Sequence, residues 1–241
     1  MSHPKPFTIA SWNIHKGVGA DRRRDLARTA AVIAEIAPDI MALQEADNRF
    51  GDRAGLLDLD HLHSTAGMTL VPLDLPGPSH GWHGNLLLVR DAKVAQVHPI
   101  PLPGFEPRGA LITDLDVGGR GLRVVGTHFG LLRRSRQAQA RHLLDLLSGR
   151  DACPTLLMGD LNEWRGGPGS PLEILAEHFV PAPAVPSFPA RYPLLALDRM
   201  MIAPRGRIAD LQAHDTPLAR KASDHLPLRA RLALAARAGA E

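Results

Sequence analysis

The chain holds a single cysteine in 241 residues, so no intrachain disulfide can form, and no other Cys or His stands near Cys153 at the spacing of a zinc site. The apolar run around Cys153 predicts a buried thiol. Aromatic residues amount to only 4%. That leaves few rings to stack on bases or wedge between them, and no long basic track runs through the sequence, although an enzyme that grips DNA needs both. No run of about 18 apolar residues occurs, which excludes a membrane-spanning helix and leaves peripheral contact as the lipid-facing option. Met1–Pro6 is short and polar and lacks the apolar stretch of a secretory signal, so residence in the cytoplasm is expected. Excess charge of one sign is scarce too. The 28 Lys and Arg stand against 25 Asp and Glu for a formal net charge of +3, which suits an anionic substrate without the basicity of a dedicated nucleic-acid binder.

What remains is an ordinary globular composition, 44% apolar, with 22 Gly and 21 Pro spread along the chain. No linker or close repeat divides it, and the length fits one large α/β domain over residues 1–241. Phe7 to Ile14 alternates in strand fashion. Leu26, Ala30, Ile33 and Ala37 recur at helical spacing until Pro38, and Asp39 to Gln44 reads as a buried strand. A loop-rich stretch from Ala46 to Gly84 follows, then strand-like runs at Asn85–Arg90, Ala110–Val117 and Leu122–Phe129, the last two joined by a Gly118-Gly119 turn. Gln137 to Leu147 carries a second helical stripe before strands at Pro154–Met158, Leu197–Ala203 and His225–Leu234. Two strand-rich halves with helices outside suggest a two-sheet sandwich. Pro72–Pro78, Pro99–Pro107 and Pro181–Pro189 read as ordered surface loops.

Polar groups recur where the apolar runs end. Asn13 closes the first strand, Glu45 follows the second, and His128 ends Leu122–Thr127. Asp160 and Asn162 follow Thr155–Gly159, Asp198 lies in a later strand, and Asp224-His225 precede the last. A packed sheet fixes the backbone at such points while the next loop opens to solvent, which suits groups that must bind metal or phosphate. Each residue has a plain alternative. An isolated Asn or Asp there is more often a turn residue, and a lone His more often a satisfied structural one. Their joint recurrence is what favours a site. Asp160 and Asn162, two positions apart, would face one side of an extended strand end and hold a water and a phosphate oxygen together.

Trp12-Asn13, Gln44-Glu45, Thr127–Leu131 (THFGL), Gly159–Asn162 (GDLN) and Ser223–His225 (SDH) occur in an order and separation that resembles the endonuclease/exonuclease/phosphatase (DNase I-like) superfamily, through nearly the whole chain. The NIHKG segment at Asn13–Gly17, HGN at His83–Asn85, RGAL at Arg108–Leu111, Trp164, and Phe188–Met200 are similar to one small cytosolic bacterial subgroup that often accompanies cardiolipin-synthase-type enzymes. The resemblance implies an α/β fold, a four-layer αββα sandwich of two mixed sheets with outer helices and an active site at one edge. It also implies a phosphoric ester hydrolase dependent on Mg2+ or Mn2+, with a phospholipid-related phosphodiester as a suggested substrate.

Within that resemblance Glu45 is the first choice for a metal ligand, with Asn13 and Asp224 completing an oxygen-rich shell suited to a hard cation. Asp160 is assigned to orienting the nucleophilic water and Asn162 to phosphate. His225 is the catalytic histidine with Asp198 as its partner, and His128 faces the same phosphate. Whether His225 acts as base or as charged clamp stays open. Arg108 is a candidate phosphate or headgroup ligand, balanced against a solvated strand start. Arg133, Arg134, Arg136 and Arg141 could offer positive charge at a helix N-terminus, though a solvated helix face is the plainer reading. Competing functions are a DNA endonuclease or exonuclease and a non-catalytic phosphate-binding scaffold. The segments 46–84 and 181–193 are expected to set specificity.

Overall fold

The structure, a computed structural model, describes residues 6–48, 51–75, 77–203 and 206–234. Met1–Lys5, read above as lacking a signal, lie outside the described residues, as does Pro76 of the Pro72–Pro78 segment. The chain opens with β1 (Phe7–Asn13), α1 (Leu26–Ile36) and β2 (Ile40–Gln44). Asp25 caps α1 by accepting a hydrogen bond from the Arg28 amide, and Ala37 ends it in the left-handed region just before Pro38. Next come α2 (Leu59–Ala66), β3 (Thr69–Leu70), β4 (Leu86–Val89), β5 (Lys93–Leu102), β6 (Arg108–Val117) and β7 (Arg120–His128). The second half continues with α3 (Arg133–Ser148), β8 (Thr155–Asp160), α4 (Pro171–Ala176), β9 (Val180–Pro181), β10 (Asp198–Ile202), β11 (Gly206–Ala213), α5 (Pro217–Ala222) and β12 (Leu228–Leu234).

The strands form two six-stranded sheets in the orders β11-β12-β1-β2-β4-β3 and β5-β6-β7-β8-β10-β9. Each sheet has one parallel pair, β1 with β2 and β7 with β8, and the remaining neighbours run antiparallel. A parallel pair needs a crossover, which α1 and α3 supply on the outer faces. Alternation along β2 shows how the layers are made. Ile40 and Ala42 enter the core between the sheets with Val124, Leu156 and Met158, while Met41 and Leu43 pack outward with Trp12, Ile33 and Leu62. On the other side Ile112, Val125 and Leu157 pack outward with Leu143 and Leu175. The result is the expected four-layer αββα sandwich. Strands buried on both faces must be apolar throughout, and these are the runs legible in the sequence.

Four expectations change. β5 runs straight through Pro99 and Pro101, which the sequence suggested for a surface loop. It is an edge strand, where a missing N–H faces solvent and costs no ladder bond. The stretch 46–84 contains α2, capped by Asp58 and stopped by Gly67. α3 begins at Arg133, so Arg136 sits in its first turn and is buried, not part of a solvated face. Cys153 is half-buried on a surface recess beside Arg123 and Leu147, and burial still pushes its thiol up. No helix among the described residues is long and apolar enough to cross a membrane.

Candidate active site

The two parallel pairs end at the same edge of the sandwich. Asn13 lies opposite Gln44 at the last register of β1 and β2, and His128 opposite Asp160 at the last register of β7 and β8. β10 runs antiparallel to β8, so its first residue, Asp198, pairs with Asp160. Glu45 follows β2 directly, and Asp224-His225 lead into β12. Gly159 permits the close approach at the end of β8. Its φ is +154°, and a side chain there would stand 1.8 Å from the Thr127 carbonyl oxygen.

His225 Nδ1 lies 2.8 Å from Asp198 Oδ2, an oxygen that also accepts a 2.5 Å hydrogen bond from Ser187 Oγ. Burial opposes the charge of this imidazole. Asp198 overcomes it, Asp160 and Asp224 add to the effect, and the group is pushed up to about 10. The far nitrogen, Nε2, faces Asp160 Oδ2 at 3.8 Å. Three further contacts fix the ring's backbone: Trp12 Nε1 donates to the His225 carbonyl (2.8 Å), the His225 amide donates to Ser223 Oγ (3.2 Å), and Ser223 Oγ donates to the Asn13 carbonyl (2.7 Å).

Asp160 is the hub. Its Oδ2 accepts from Asn13 Nδ2 at 3.1 Å and lies 3.4 Å from His128 Nε2, while Oδ1 accepts from the Asn162 amide at 2.9 Å. His128 is buried. Burial, opposed by Asp160 and reinforced by Arg108, pushes it down to about 4, so it is neutral where His225 is cationic. Asn162 departs from the extended-strand reading. β8 stops at Asp160 and Asn162 turns into the left-handed region at φ +52°, where its Nδ2 donates to the Phe129 carbonyl at 3.0 Å. It stays beside Asp160 through a turn, not through strand alternation.

Arg108 is not a solvated strand start. Its Nη2 and Nε donate to Glu106 Oε2 at 2.9 and 3.2 Å, and Nη1 lies 3.0 Å from His128 Nδ1. Arg136 likewise turns inward, donating to Glu163 at 2.9 Å. Asn85 of the HGN segment braces its loop by donating to the Gly109 and Trp82 carbonyls.

Glu45 adopts φ +53° and forms an ion pair with Lys16, itself at φ +57°. Burial works against the carboxylate, and His128, Lys16 and His15 together hold it down to about 2. Since His128 is neutral at pH 7, the Lys16 ammonium is the close cation that keeps Glu45 ionised. Asp224 stands 43% exposed, 3.7 Å from His15 Nδ1. The Asn13 amide oxygen accepts from the His15 amide at 3.0 Å. Two carboxylates and an amide oxygen are hard donors, and no thiolate is at hand, so the set fits a hard divalent cation that retains several waters. Among the described residues no three Asp, Glu, His or Cys side chains close into a metal cage by themselves.

Sequence reasoning gave no task to Lys16 and missed Ser187 and Ser223. Ser223 was visible inside SDH and Lys16 inside NIHKG, whereas no local signal marks Ser187, which meets Asp198 only through the fold.

Residues 10–225 match the profile of the Endonuclease/Exonuclease/phosphatase family. The Escherichia coli (strain K12) protein YbhP is 29% identical over 262 residues, covering 95% of this chain and 96% of the relative. Among solved structures, an endonuclease/exonuclease/phosphatase from Beutenbergia cavernae DSM 12333 superposes with a TM-score of 0.72 at 25% identity, covering 96% of this chain and 72% of that one. A mannosyl-6-phosphatase of Bacteroides thetaiotaomicron VPI-5482 shares the fold with a TM-score of 0.71 at 14% identity, covering 94% and 99%. Family members are phosphoesterases and nucleases that generally use divalent metals. By the extent of the matching profile, the chain belongs to the endonuclease/exonuclease/phosphatase family.

Proposed function

We propose that this chain is a Mg2+- or Mn2+-dependent phosphodiesterase that cleaves a small or phospholipid-related phosphodiester by in-line attack of water. The observation that carries the reading is the meeting of His128 and His225 on one oxygen of Asp160, at 3.4 and 3.8 Å, beside an oxygen-donor set on the other sheet. Glu45, Asn13 and Asp224 would hold the metal, which when bound supplies positive charge to phosphoryl oxygens that otherwise repel a nucleophile. Asp160 orients the water, held in place by Asn13 and by the Asn162 amide. Asn162 gives one side-chain N–H to the Phe129 carbonyl and keeps the other to donate to a phosphoryl oxygen. His225, paired with Asp198 and already protonated, donates to a phosphoryl oxygen and stabilises the charge that builds there. His128 is neutral and braced by Arg108, so it contributes a directed dipole and not a second cation. Arg108 braces His128 from the wall of the recess it lines with Glu45 and Lys16.

The test is turnover by the purified protein with Mg2+ or Mn2+, before and after chelation, on parallel panels of phospholipids, nucleic acids and soluble phosphomono- and diesters. Glu45→Ala and His225→Ala serve as controls. The expected result is metal-dependent diester cleavage abolished by both variants. Preferential cleavage of the nucleic-acid panel would replace this reading with the nuclease. No turnover by a folded, metal-binding protein would replace it with a phosphate-binding scaffold.

A further inference from the structure

Seven large apolar side chains stand exposed among the described residues, and six of them, Phe105, Leu131, Leu132, Trp164, Tyr192 and Leu194, lie on the loops that frame the candidate site. The placement follows from the chain path. Phe105 sits in the loop leading to Arg108, and Leu131-Leu132 begin three residues after His128. Trp164 comes two residues after Asn162. Tyr192 and Leu194 belong to the loop whose Phe188 ring packs 4.8 Å from His225 and whose Ala190 amide donates to the Asp224 carbonyl. Leu194 is 76% and Phe105 84% exposed. Scattered exposed leucines are ordinary on a protein surface, but their confinement to one rim is not.

The charges on this rim have a consistent direction. Arg133, Arg134, Arg165 and Arg191 are exposed, and none forms an ion pair among the described residues. Two of them lie over rim aromatics, Arg165 at 5.2 Å from the Trp164 ring and Arg191 at 5.6 Å from Tyr192. The acids of the same loops are turned inward instead, Glu106 onto Arg108 and Glu163 onto Arg136. The rim therefore presents aliphatic tips, two amphipathic aromatics and exposed guanidinium groups that form no ion pair among the described residues.

We propose that this rim is a docking surface for an anionic phospholipid bilayer, which it meets with the mouth of the site facing the headgroups. Leucine tips gain by leaving water for the acyl boundary, Trp and Tyr suit the headgroup level, and clustered arginines are drawn to anionic lipid. A single-stranded nucleic acid fits less well. Three of the six exposed side chains, Leu131, Leu132 and Leu194, have no ring to stack on a base, and a polyanion gains nothing from covering them. The proposal depends on the hydrolase reading only for what the docked site acts upon, since docking itself needs no turnover.

Co-sedimentation of the whole chain with phosphatidylcholine vesicles, with and without phosphatidylglycerol, tests it. The wild type is expected to bind the anionic vesicles at least about tenfold more tightly and to release them as salt rises. Leu131→Ser/Leu132→Ser should lose binding by a similar factor, and Arg133→Gln/Arg134→Gln should flatten the salt dependence. Both variants should keep the wild-type melting temperature and its turnover of a soluble phosphodiester. Absence of vesicle binding, or binding indifferent to the two leucines, overturns the proposal. So does tighter binding to a single-stranded oligonucleotide that depends on Trp164 and Tyr192. Loss of the hydrolase reading would show as absent soluble turnover with vesicle binding intact.

Discussion

In the first sheet β12, β1, β2 and β4 lie side by side as antiparallel, parallel and antiparallel pairs, with α1 crossing between β1 and β2. In the second, β6, β7, β8 and β10 repeat the arrangement with α3 between β7 and β8. Asn13 holds the place of His128, and Gln44 that of Asp160. The chain even leaves both pairs alike, with Ile14 N donating to the Gln44 carbonyl at 3.1 Å and Phe129 N to the Asp160 carbonyl at 2.9 Å. One backbone plan thus carries two kinds of chemistry. The first half ends in oxygen donors reached by solvent, Glu45 and Asp224, which suit a ligand that exchanges. The second ends in buried groups, His128, Asp160 and Asp198, which suit a fixed electrostatic frame. His225 joins them, rooted in the first sheet and paired with an acid of the second.

The sharpest break in this comparison is removal of the joint. His225→Ala is expected to lower turnover of a soluble phosphodiester by about 10²–10⁴-fold while leaving the fold intact. Asp198→Ala should be worse for the protein as a whole. It leaves a buried imidazole without its partner and Ser187 without an acceptor, at a cost of roughly 3–5 kcal/mol in chemical denaturation. An Asp198→Ala protein as stable as wild type would mean that the pair does not hold the two sheets' chemistry together.

The strand ends were legible because β1, β2, β7 and β8 are buried on both faces, so continuous apolar runs stop where the polar groups begin. β5 and β11 escaped because edge strands with one wet face tolerate Pro99, Pro101 and charged residues and lose the apolar signature. α4 and α5 are short, yet Ser170-Pro171 and Thr216-Pro217 are caps followed by a proline at the first helical position, a readable start. At the site, residue types could be read and directions could not. The turn at Asn162, the inward course of Arg108 and Arg136, and the meeting of Ser187 with Asp198 are settled by tertiary packing between segments far apart in sequence.

The two histidines offer a second contrast, readable as stability against pH. His128 falls from the usual 6.5 to about 4 on folding, so its contribution is complete above 6.5 and is lost as pH drops through 4. His225 rises to about 10, so its contribution is complete below 6.5 and is lost as pH climbs through 10. Each is worth on the order of a few kcal/mol. In denaturant titrations His128→Asn should flatten the acid limb and His225→Asn the alkaline limb. A single variant that flattened both would show that the two rings titrate as one unit, against the separation drawn between the halves.

The smallest effect concerns Lys16, which occupies Glu45 in a manner open to competition. Its ammonium is paired with the carboxylate that the metal would use, and both residues sit in left-handed backbone that fixes them face to face. A divalent cation arriving at Glu45 must displace that pair, so Lys16→Met should tighten Mg2+ or Mn2+ binding several-fold in calorimetry, even if turnover falls. The lysine has a second role in the free protein, because Glu45 without it is a partly buried carboxylate left beside His15 and the neutral His128. The variant should therefore be slightly less stable without metal and regain that loss when metal is added. Unchanged affinity in Lys16→Met would place the cation away from Glu45 and assign the exchangeable side of the site to Asp224 instead.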